Sequence, residues 1–427
     1  MTNSLKVAVI GAGVAGLTAA RELQRESHQV IVFEKSHRLG GTWVYDPKVE
    51  SDPLGSDPNR DVVHGSLYKS LRTNFPRQLM SFSDFKFEEK LYDDPRINPG
   101  HQEVLKFLED FATYFKLTEL IRFNTLVTRV EVVDSVINSF VVESETNGVS
   151  LVEVFDAVVV CNGHNTQPRL AADIPGIETW STKQMHSHNY RDSEPFRDQV
   201  VVVIGNGPSG IDISREIAMV AKEVHMSSRS THFNVGKSDK FDNMWQHSTI
   251  LKIESDGTVI FQDGLSVEAD IIFHCTGYKL HYPFLKTNGV VSIQDKRIGP
   301  LYKHVFPPQL APNLSFVGIP EMSFTFTIIE CQSRWIAQTL SQKVSLPSED
   351  EMLFDVQQYY QELKEKGVPE HRTHYIGFQT SYIDWMFDQT GMVLEKHVKE
   401  MFEYFNHCLM SGGIDGYMDA FSHKYKI

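Results

Sequence analysis

Two apolar runs, each followed by a glycine-rich turn and a helix-like stretch, dominate the hydrophobic pattern of the chain. The first run covers residues 7–10 and precedes the helix-like stretch 17–25, and the second covers 200–204 and precedes 211–220. A short apolar strand, a tight turn and a helix in this order form the first half of a βαβ unit. The pattern therefore predicts an α/β protein that contains two such units.

Each turn has the spacing Gly-x-Gly-x-x-Gly. The first glycine allows the tight turn, the second lets the backbone approach a pyrophosphate, and the third lets the helix pack on the strand. The phosphates then lie at a helix N-terminus, where N–H groups and the helix dipole favour an anion. Two such turns predict two bound dinucleotides. The predicted cofactor-binding residues are Gly11, Gly13 and Gly16 in the first turn and Gly205, Gly207, Pro208, Ser209 and Gly210 in the second.

The end of the next strand indicates which dinucleotide the first unit binds. Residues 29–33 form a short apolar run that is followed by Glu34, 23 positions after Gly11. A carboxylate at this distance accepts hydrogen bonds from ribose hydroxyls and repels a 2′-phosphate. We therefore expect FAD or NAD in the first site, with Glu34 and the adjacent Lys35 in contact with the cofactor.

The second unit lacks an acid at the equivalent position. Its second apolar run covers residues 223–226, and Ser228 lies 23 positions after Gly205. The neighbouring Arg229 carries a guanidinium, which suits a phosphate dianion because it forms charge-assisted hydrogen bonds. We therefore expect NADPH in the second site, with Ser228 and Arg229 at its 2′-phosphate.

Three further segments carry glycines in positions that favour cofactor contact. Residues 39–43, Leu-Gly-Gly-Thr-Trp, follow Glu34 closely, and their paired glycines let the backbone pass near the cofactor. Gly41, Thr42 and Trp43 are therefore predicted to contact it. Segments 161–164 and 275–278 each follow an apolar strand, and ligands bind at the carboxyl ends of strands in open α/β sheets.

Composition and charge restrict the class of protein. The chain has 427 residues, enough for two or three domains, and a formal net charge of −14, which argues against nucleic acid and anionic membranes as partners. No apolar run approaches the ~20 residues that span a bilayer. The first glycine turn begins at Gly11, which leaves no room for a cleavable targeting peptide. The four cysteines are far apart, which argues against a redox dithiol or a metal site and favours the cytoplasm.

Segments rich in Asp, Pro and Gly divide the chain into domains. Residues 46–64 have the composition of a surface loop, residues 173–176 mark a crossing between domains, and a proline cluster at 307–312 marks another boundary. We expect two Rossmann-like domains, with the NADPH domain inserted into the FAD domain. The expected bounds are 1–170 and 301–427 for the FAD-binding domain, including C-terminal helices, and 171–300 for the NADPH-binding domain.

The segment between the two glycine turns gives the chain a family resemblance. Residues 180–190 resemble the Phe-x-Gly-x-x-x-His-x-x-x-(Tyr/Phe) signature of flavin-containing monooxygenases. His186 and Tyr190 match it, whereas Trp180 and Thr182 replace its phenylalanine and glycine. The resemblance runs from about residue 5 to about residue 390 and is closest to the plant S-oxygenating branch, which includes glucosinolate and S-alk(en)yl-cysteine S-oxygenases. It also covers segments 39–43, 66–82, 276–278 and 326–340.

The resemblance implies a mechanism and a catalytic residue. In the family, NADPH reduces FAD, and the reduced flavin takes O2 to a C4a-hydroperoxide, which a soft nucleophile such as sulfur attacks. The expected partners are therefore O2 and a small sulfur-containing substrate, an S-alk(en)yl cysteine or a methylthioalkyl glucosinolate. The resemblance places Asn74 near the flavin and the nicotinamide, where its amide orients the peroxide or a water. It gives His186 a structural role.

Alternative functions remain to be weighed at this point. N-oxygenation, or an oxidative decarboxylation like that of auxin-forming relatives, uses the same cofactors. A non-catalytic flavin-fold binding protein is disfavoured because both turns keep all three glycines. A Baeyer–Villiger enzyme is expected to carry Trp-Pro after the histidine signature, where this chain has Tyr190-Arg191. A dithiol reductase needs a cysteine pair, which the sequence lacks.

Overall fold

The chain forms two compact units. The computed structural model describes residues 4–90, 92–134, 139–180, 183–229, 235–411 and 424. Unit 1 takes in 1–44, 72–164 and 280–427, and unit 2 takes in 45–71 and 165–279. Unit 2 is therefore an insertion in unit 1, with bounds at 164/165 and 279/280, and residues 45–71 group with it.

Unit 1 has helices and strands both before and after unit 2 in the chain. Its first part contains β1 (Lys6–Ile10), α1 (Val14–Arg25), β2 (Gln29–Phe33), α2 (His101–Tyr114), β3 (Ile121–Arg122), β4 (Thr125–Asp134), β5 (Ser139–Thr146), β6 (Val149–Phe155) and β7 (Ala157–Val160).

Unit 2 contains one long helix and eleven strands within its described residues. These are β8 (Gln167–Pro168), β9 (Lys183–His186), β10 (Val200–Ile204), α3 (Pro208–Ala218), β11 (Glu223–Ser227), β12 (Gly236–Lys237), β13 (Met244–His247), β14 (Ile250–Ile253), β15 (Thr258–Phe261), β16 (Ser266–Glu268), β17 (Ile271–His274) and β18 (Tyr278–Lys279).

The second part of unit 1 supplies its remaining strands and most of its helices. These are β19 (Leu285–Lys286), β20 (Ser292–Gln294), β21 (Arg297–Gly299), β22 (Leu314–Phe316), α4 (Thr325–Leu340), α5 (Glu349–Glu365), α6 (Thr380–Thr390) and α7 (Lys396–Ser411).

The main sheet of unit 1 is parallel, in the order β22-β7-β1-β2-β3. Its strands are mostly apolar, because a parallel sheet is covered on both faces. Val7 pairs with Val30 of β2 and Ala157 of β7. The strand order reverses at β1, and in open α/β sheets the ligand binds at such a reversal, outside the carboxyl ends of the strands. A second sheet has the order β19-β4-β5-β6.

The main sheet of unit 2 repeats this arrangement. Its order is β12-β13-β11-β10-β17-β9, and all pairs are parallel except β12–β13. Here the reversal is at β10, between β11 and β17. Strands β14, β15 and β16 form a separate antiparallel sheet, and β18 pairs with β8.

The helices of unit 1 cover its main sheet and form most of its core. α1 and α4 pack together, and the largest apolar cluster joins them with α2 and the C-terminal helices. The ends of these helices follow from the sequence: Ser348 and Glu351 form a capping box at the start of α5, and Gly391 ends α6 in the left-handed region at φ 64°. No helix among the described residues is long and apolar enough to cross a membrane.

Candidate active site

The first glycine turn is closed against a neighbouring strand end. Gly11 has φ +102°, and a Cβ there would lie 2.6 Å from the carbonyl oxygen of Cys161, the residue after β7. A Cβ on Gly16 would overlap the carbonyl oxygen of Gly11. A side chain is therefore excluded at both positions, and the turn stays tight enough for the start of α1 to face the carboxyl ends of the strands.

The segment 39–43 lies directly against this turn. The N–H of Gly40 donates to the carbonyl of Ala12 at 3.0 Å, and a Cβ on Gly41 would lie 2.9 Å from the Cα of Gly13. Gly41 and Thr42 are exposed, and Trp43 is half-buried. The structure therefore brings the predicted residues of this segment together with the glycine turn.

Glu34 is also tied to the turn. Its Oε2 accepts the N–H of Ala12 at 2.8 Å, and its Oε1 accepts the N–H and the hydroxyl of Ser36 at 2.8 and 2.6 Å. A carboxylate has about four acceptor positions, so about one remains for a ribose hydroxyl. The neighbouring Lys35 is exposed. Desolvation of its ammonium nevertheless lowers its pKa to about 8, although the negative charge of Glu34 acts to raise it.

The second glycine turn has the same construction. Gly205 has φ +107°, and a Cβ there would lie 2.5 Å from the carbonyl oxygen of Cys275, the residue after β17. A Cβ on Gly210 would overlap the carbonyl oxygen of Gly205. Gly207 differs, because a Cβ built there meets no described atom within 4 Å. The backbone at Gly207 is therefore open to a ligand.

Both turns end at a helix start that suits an anion. In the part of the chain that the structure describes, no side chain caps α1 at Gly13 or α3 at Gly207, and neither helix has an acidic residue in its first turn. The first N–H groups of each helix therefore lack intrahelical acceptors and fit a pyrophosphate. Pro208 has no N–H, so the donors at the start of α3 come from residues such as Ser209 and Gly210.

The two units differ where the ribose is expected. Ser228 follows β11 as Glu34 follows β2, and its N–H donates to the carbonyl of His247 at 3.3 Å. Ser228 is buried and Arg229 is exposed. Unit 2 therefore offers a hydroxyl and a guanidinium at the position where unit 1 offers a carboxylate. Ser230, the next residue, lies outside the described residues, as does Thr182 of the histidine signature.

His186 is buried and neutral. Its Nδ1 accepts the N–H of His188 at 3.0 Å, so the ring proton lies on Nε2 and is donated to the carbonyl of Gly277 at 3.0 Å. Burial, with smaller contributions from His274 and His188, lowers the pKa of His186 to about 3. These contacts give the histidine a structural role, because both ring nitrogens hold backbone groups.

Most residues of the segment 46–64 are exposed and none lies in a helix or strand, in agreement with its prediction as a surface loop. The carboxylate of Glu50 is fully buried, where it accepts hydrogen bonds from the Arg60 Nε at 2.7 Å and the His188 Nε2 at 3.1 Å. His188 also contacts the carbonyl of Val63 at 2.8 Å. Although burial opposes ionisation, these hydrogen bonds lower the pKa of Glu50. The segment has no helix or strand, but its interior holds a buried ion pair.

Arg191 also anchors the segment 46–64 through hydrogen bonds. Its buried guanidinium donates to the carbonyls of Asp46 and Lys48 at 2.7 and 3.1 Å and to that of Gly65 at 2.9 Å. Sequence analysis missed Glu50, Arg60, His188 and Arg191 as a network. The sequence shows charged residues in a loop and a separate histidine-rich segment, but nothing in it indicates that the two are in contact.

Asn74 lies on a separate turn of unit 1. Its side chain is exposed, whereas the preceding Thr73 is buried and the following Phe75 is half-buried. The N–H of Thr73 donates to the carbonyl of Pro99 at 2.9 Å, and the Asn98 amide donates to the carbonyl of Thr73 at 3.1 Å. The turn therefore presents one exposed amide between two anchored neighbours.

Two βαβ units, each with a glycine cradle, an uncapped helix start and a different ribose position, define a protein that binds two dinucleotides. A family model described as FMO-like, flavin-binding monooxygenase-like, matches residues 4–254 and 243–403. This chain belongs to that family, so it is a flavin-dependent monooxygenase that uses FAD and NADPH. The predicted two-domain α/β fold, the enzyme class and the two cofactors are confirmed.

Relatives match nearly the full length of the chain. Flavin-containing monooxygenase FMO GS-OX5 of Arabidopsis thaliana is 53% identical over 396 residues, 91% of this chain and 85% of that relative. FMO GS-OX-like 2 of the same plant is 51% identical over 411 residues, 94% and 88% of the two chains. The structure of S-allyl-L-cysteine S-oxygenase from Allium sativum has a TM-score of 0.93 at 47% identity, and the match covers 98% of this chain and 96% of that chain.

Proposed function

We propose that the enzyme is an S-oxygenase, which transfers one atom of O2 to a thioether and forms a sulfoxide. The substrate class is a small molecule of the S-alk(en)yl-cysteine or methylthioalkyl-glucosinolate type. The observation that carries the proposal is the 47% identity to S-allyl-L-cysteine S-oxygenase over 98% of this chain. The similarity to FMO GS-OX5 over 91% of the chain supports the same class of oxygenation.

The reaction balances with the cofactors of the family. A thioether, O2, NADPH and a proton give a sulfoxide, NADP⁺ and water. A lone pair on sulfur forms the new S–O bond, the other oxygen atom leaves as water, and NADPH supplies two electrons. FAD, when bound, supplies the redox chemistry that links the nicotinamide to O2, while the protein binds, orients and shields the reactants.

Unit 1 is the proposed FAD site. The start of α1 and the cradle of Gly11, Gly13 and Gly16 offer N–H donors to the pyrophosphate, and the exposed Gly41 lies against Gly13. The free acceptor position on Glu34 suits a ribose hydroxyl. Because a 2′-phosphate beside this carboxylate meets like charge, the site favours FAD over NADPH. Lys35, Thr42 and Trp43 belong to the same proposed site.

Unit 2 is the proposed NADPH site. Gly205 and Gly210 form the cradle, and the open backbone at Gly207 with the exposed Ser209 suits the pyrophosphate. Pro208 shapes the start of α3 without donating. Ser228 and the exposed guanidinium of Arg229 lie where the 2′-phosphate is expected, and a guanidinium binds a phosphate with two parallel hydrogen bonds.

Asn74 is the proposed catalytic residue. Its amide carries both a donor and an acceptor, so it is able to orient O2-derived species or a water beside the reacting sulfur. The exposure of its side chain and the anchoring of Thr73 support this role, because an amide that acts on a ligand must reach the ligand from a fixed backbone.

The proposal includes a cytoplasmic location. Its support is that Cys161, Cys275, Cys331 and Cys408 are all buried and are free thiols among the described residues.

Product analysis tests the proposed function. Purified protein loaded with FAD is given NADPH, air and a panel containing an S-allyl cysteine, a methylthioalkyl glucosinolate and a tertiary amine. The expected result is NADPH consumption with a sulfoxide detected by mass spectrometry. An N-oxide from the amine with no sulfoxide from either thioether overturns the proposal and favours N-oxygenation. NADPH consumption without any oxygenated product also overturns it.

A further inference from the structure

The residue after Asn74 joins an aromatic cluster built from distant parts of unit 1. The ring of Phe75 lies 6.0 Å from that of Phe324 at the start of α4, 5.8 Å from that of Phe378 and 4.9 Å from that of Phe405 in α7. Ring pairs at 4.5–7 Å are attractive. The cluster therefore connects the Asn74 turn to the C-terminal helix, the part of the chain about which the sequence was least informative.

α7 is fixed against the same cluster. Phe402 stacks on Phe324 at 3.9 Å, and the Asn406 side chain donates to the carbonyl of Phe378 at 3.2 Å. Phe405 is 2% exposed, and its ring is tilted by 33° to that of Phe75. These contacts come from one face of α7, so the helix holds the ring of Phe405 against that of Phe75.

The other side of the turn is held by hydrogen bonds of Thr73. Thr73 is bonded through its N–H to Pro99 and through its carbonyl to the Asn98 amide, and its hydroxyl donates to the carbonyl of Phe75 at 2.7 Å. The exposed Asn74 thus lies between a residue fixed by hydrogen bonds and one fixed by ring contacts. Loss of ring contacts therefore weakens the hold on the Phe75 side of the turn.

We propose that Phe405 of α7 is a positioning residue for oxygenation, which holds the Asn74 amide through the ring of Phe75. The proposal rests on the catalytic role proposed for Asn74. Phe405 contacts neither cofactor nor substrate in this account. Its effect comes from the geometry of the turn, where a displacement of about 1 Å is enough to lower a rate by as much as about 100-fold.

The test compares two variants of Phe405 with a matched variant of the same helix. Phe405→Ala removes the ring and Phe405→Leu keeps the apolar volume, which guards against a variant that fails to fold. Phe402→Leu is the control, because its ring stacks on Phe324 instead of Phe75. FAD content, the anaerobic rate of flavin reduction by NADPH, and sulfoxide formed per NADPH are measured for each.

We expect both Phe405 variants to bind FAD and to be reduced at the normal rate. Sulfoxide per NADPH should fall about tenfold in Phe405→Ala and less in Phe405→Leu, with the missing electrons recovered as hydrogen peroxide. Phe402→Leu should keep the normal ratio even where it lowers the melting temperature. An unchanged ratio in both Phe405 variants overturns the proposal, and so does an equal loss in the Phe402→Leu control.

A readout independent of turnover is amide hydrogen exchange in residues 72–80. The N–H of Arg77, which donates to the carbonyl of Ile97 at 2.9 Å, and that of Thr73 report on this turn. Exchange should accelerate in the Phe405 variants and not in Phe402→Leu. Because this measurement needs no substrate, it tests the positioning role even where the wild type forms no sulfoxide, an outcome that would remove the proposed function alone.

A double variant separates positioning from general stability. When Phe405 acts through Asn74, Phe405→Ala should cause little further loss of sulfoxide yield in the Asn74→Ala background. Multiplicative losses of the two changes contradict the proposal, because they assign Phe405 an effect that does not pass through the amide.

Discussion

Glu34 and Ser228 occupy equivalent positions in the two units, and each is followed by a cation, Lys35 or Arg229. The cation alone therefore does not distinguish the sites. What differs is the carboxylate of Glu34, which would face a 2′-phosphate in unit 1, and the uncharged Ser228, which leaves the guanidinium of unit 2 available to that phosphate. We therefore expect Glu34 and Ser228 to determine which cofactor each unit binds.

Arg229→Ala should raise the KM for NADPH by about 10- to 100-fold, since a lost charge-assisted hydrogen bond to phosphate costs roughly 1.5–3 kcal/mol. The KM for NADH, which lacks the 2′-phosphate, should change little. Steady-state kinetics with both nucleotides measures this. Arg197→Ala, which removes an exposed arginine of the same unit, is the control. Equal losses with NADPH and NADH would contradict the assignment.

Asn74→Ala should leave FAD bound and the anaerobic reduction of the flavin by NADPH unchanged, because the role proposed for Asn74 is in oxygenation and not in hydride transfer. Sulfoxide per NADPH should fall at least about tenfold, within the range of one lost positioning or polar contact at a reacting centre. The visible spectrum, stopped-flow reduction and product yield measure the three steps. A normal yield would remove Asn74 from the mechanism.

Residue-level prediction from the sequence succeeds where chemistry depends on local spacing. The glycines that cannot carry a Cβ, Gly11 and Gly210 among them, are recognisable because strand, turn and helix are contiguous in the chain. The buried contacts of Glu50 and His188 join residues 138 positions apart, so they depend on tertiary packing that no local pattern encodes. The proposed role of Phe405 depends on the same kind of distant packing.

At the scale of elements, the two βαβ units share their construction down to single hydrogen bonds. The N–H of Cys161 donates to the carbonyl of Ile10 at 2.9 Å, and that of Cys275 donates to the carbonyl of Ile204 at the same distance. The middle glycines differ: Gly13 is close to Gly41, whereas Gly207 is open. A substitution at Gly207 of the second unit can therefore change cofactor binding without changing folding.

Gly207→Ala should fold normally and bind NADPH poorly. Alanine accepts φ −70°, and its Cβ meets no described atom within 4 Å, so the melting temperature should stay within about 2 °C. The same methyl group fills the space through which a pyrophosphate approaches the backbone, so the KM for NADPH should rise at least about tenfold. Thermal denaturation and kinetics measure the two effects.

Gly210→Ala is the matched comparison. Its Cβ overlaps the carbonyl oxygen of Gly205, so overpacking should cost about 1–3 kcal/mol and lower the melting temperature of unit 2 by several degrees. A stable Gly210→Ala protein, or a Gly207→Ala protein with normal NADPH kinetics, would show that the cradle geometry does not determine binding as described.

Strands, helices and the long loop were predictable from the sequence, but the contacts that anchor the loop were not. The predicted helix over residues 17–25 and the apolar strand predicted before residues 275–278 correspond to α1 and β17. Residues 46–64 have the composition of exposed loops, and most of them are exposed. The buried ion pair of Glu50 with Arg60 anchors this loop, and sequence composition does not reveal it.

At the scale of the whole molecule, buried histidines link stability to pH in both units. Burial lowers the pKa of His186 to about 3 and that of His274 to about 4 in unit 2, and it lowers the pKa of His374 to about 4 in unit 1. In the unfolded chain each takes up a proton near pH 6.5. The unfolded state therefore binds more protons than the folded state between pH 6.5 and about 4, and stability falls as pH falls.

The free energy of unfolding should decrease below pH 6.5 by roughly 1.4 kcal/mol per pH unit for each such histidine. His274→Gln should reduce this slope by roughly 1.4 kcal/mol per pH unit, the contribution of one proton. The reason is that it removes a group that the folded state holds neutral. Denaturant unfolding of the wild type and the variant between pH 5 and 7 measures the slope, and an equal slope in both proteins would contradict the linkage.

An isotope measurement tests most directly whether the enzyme S-oxygenates its substrate with NADPH and O2. The FAD-loaded protein is given S-allyl cysteine and one equivalent of NADPH under ¹⁸O₂, and the product is analysed by mass spectrometry. We expect close to one sulfoxide per NADPH, with ¹⁸O on sulfur. Unlabelled sulfoxide, or NADPH consumed with hydrogen peroxide as the sole product, would contradict it.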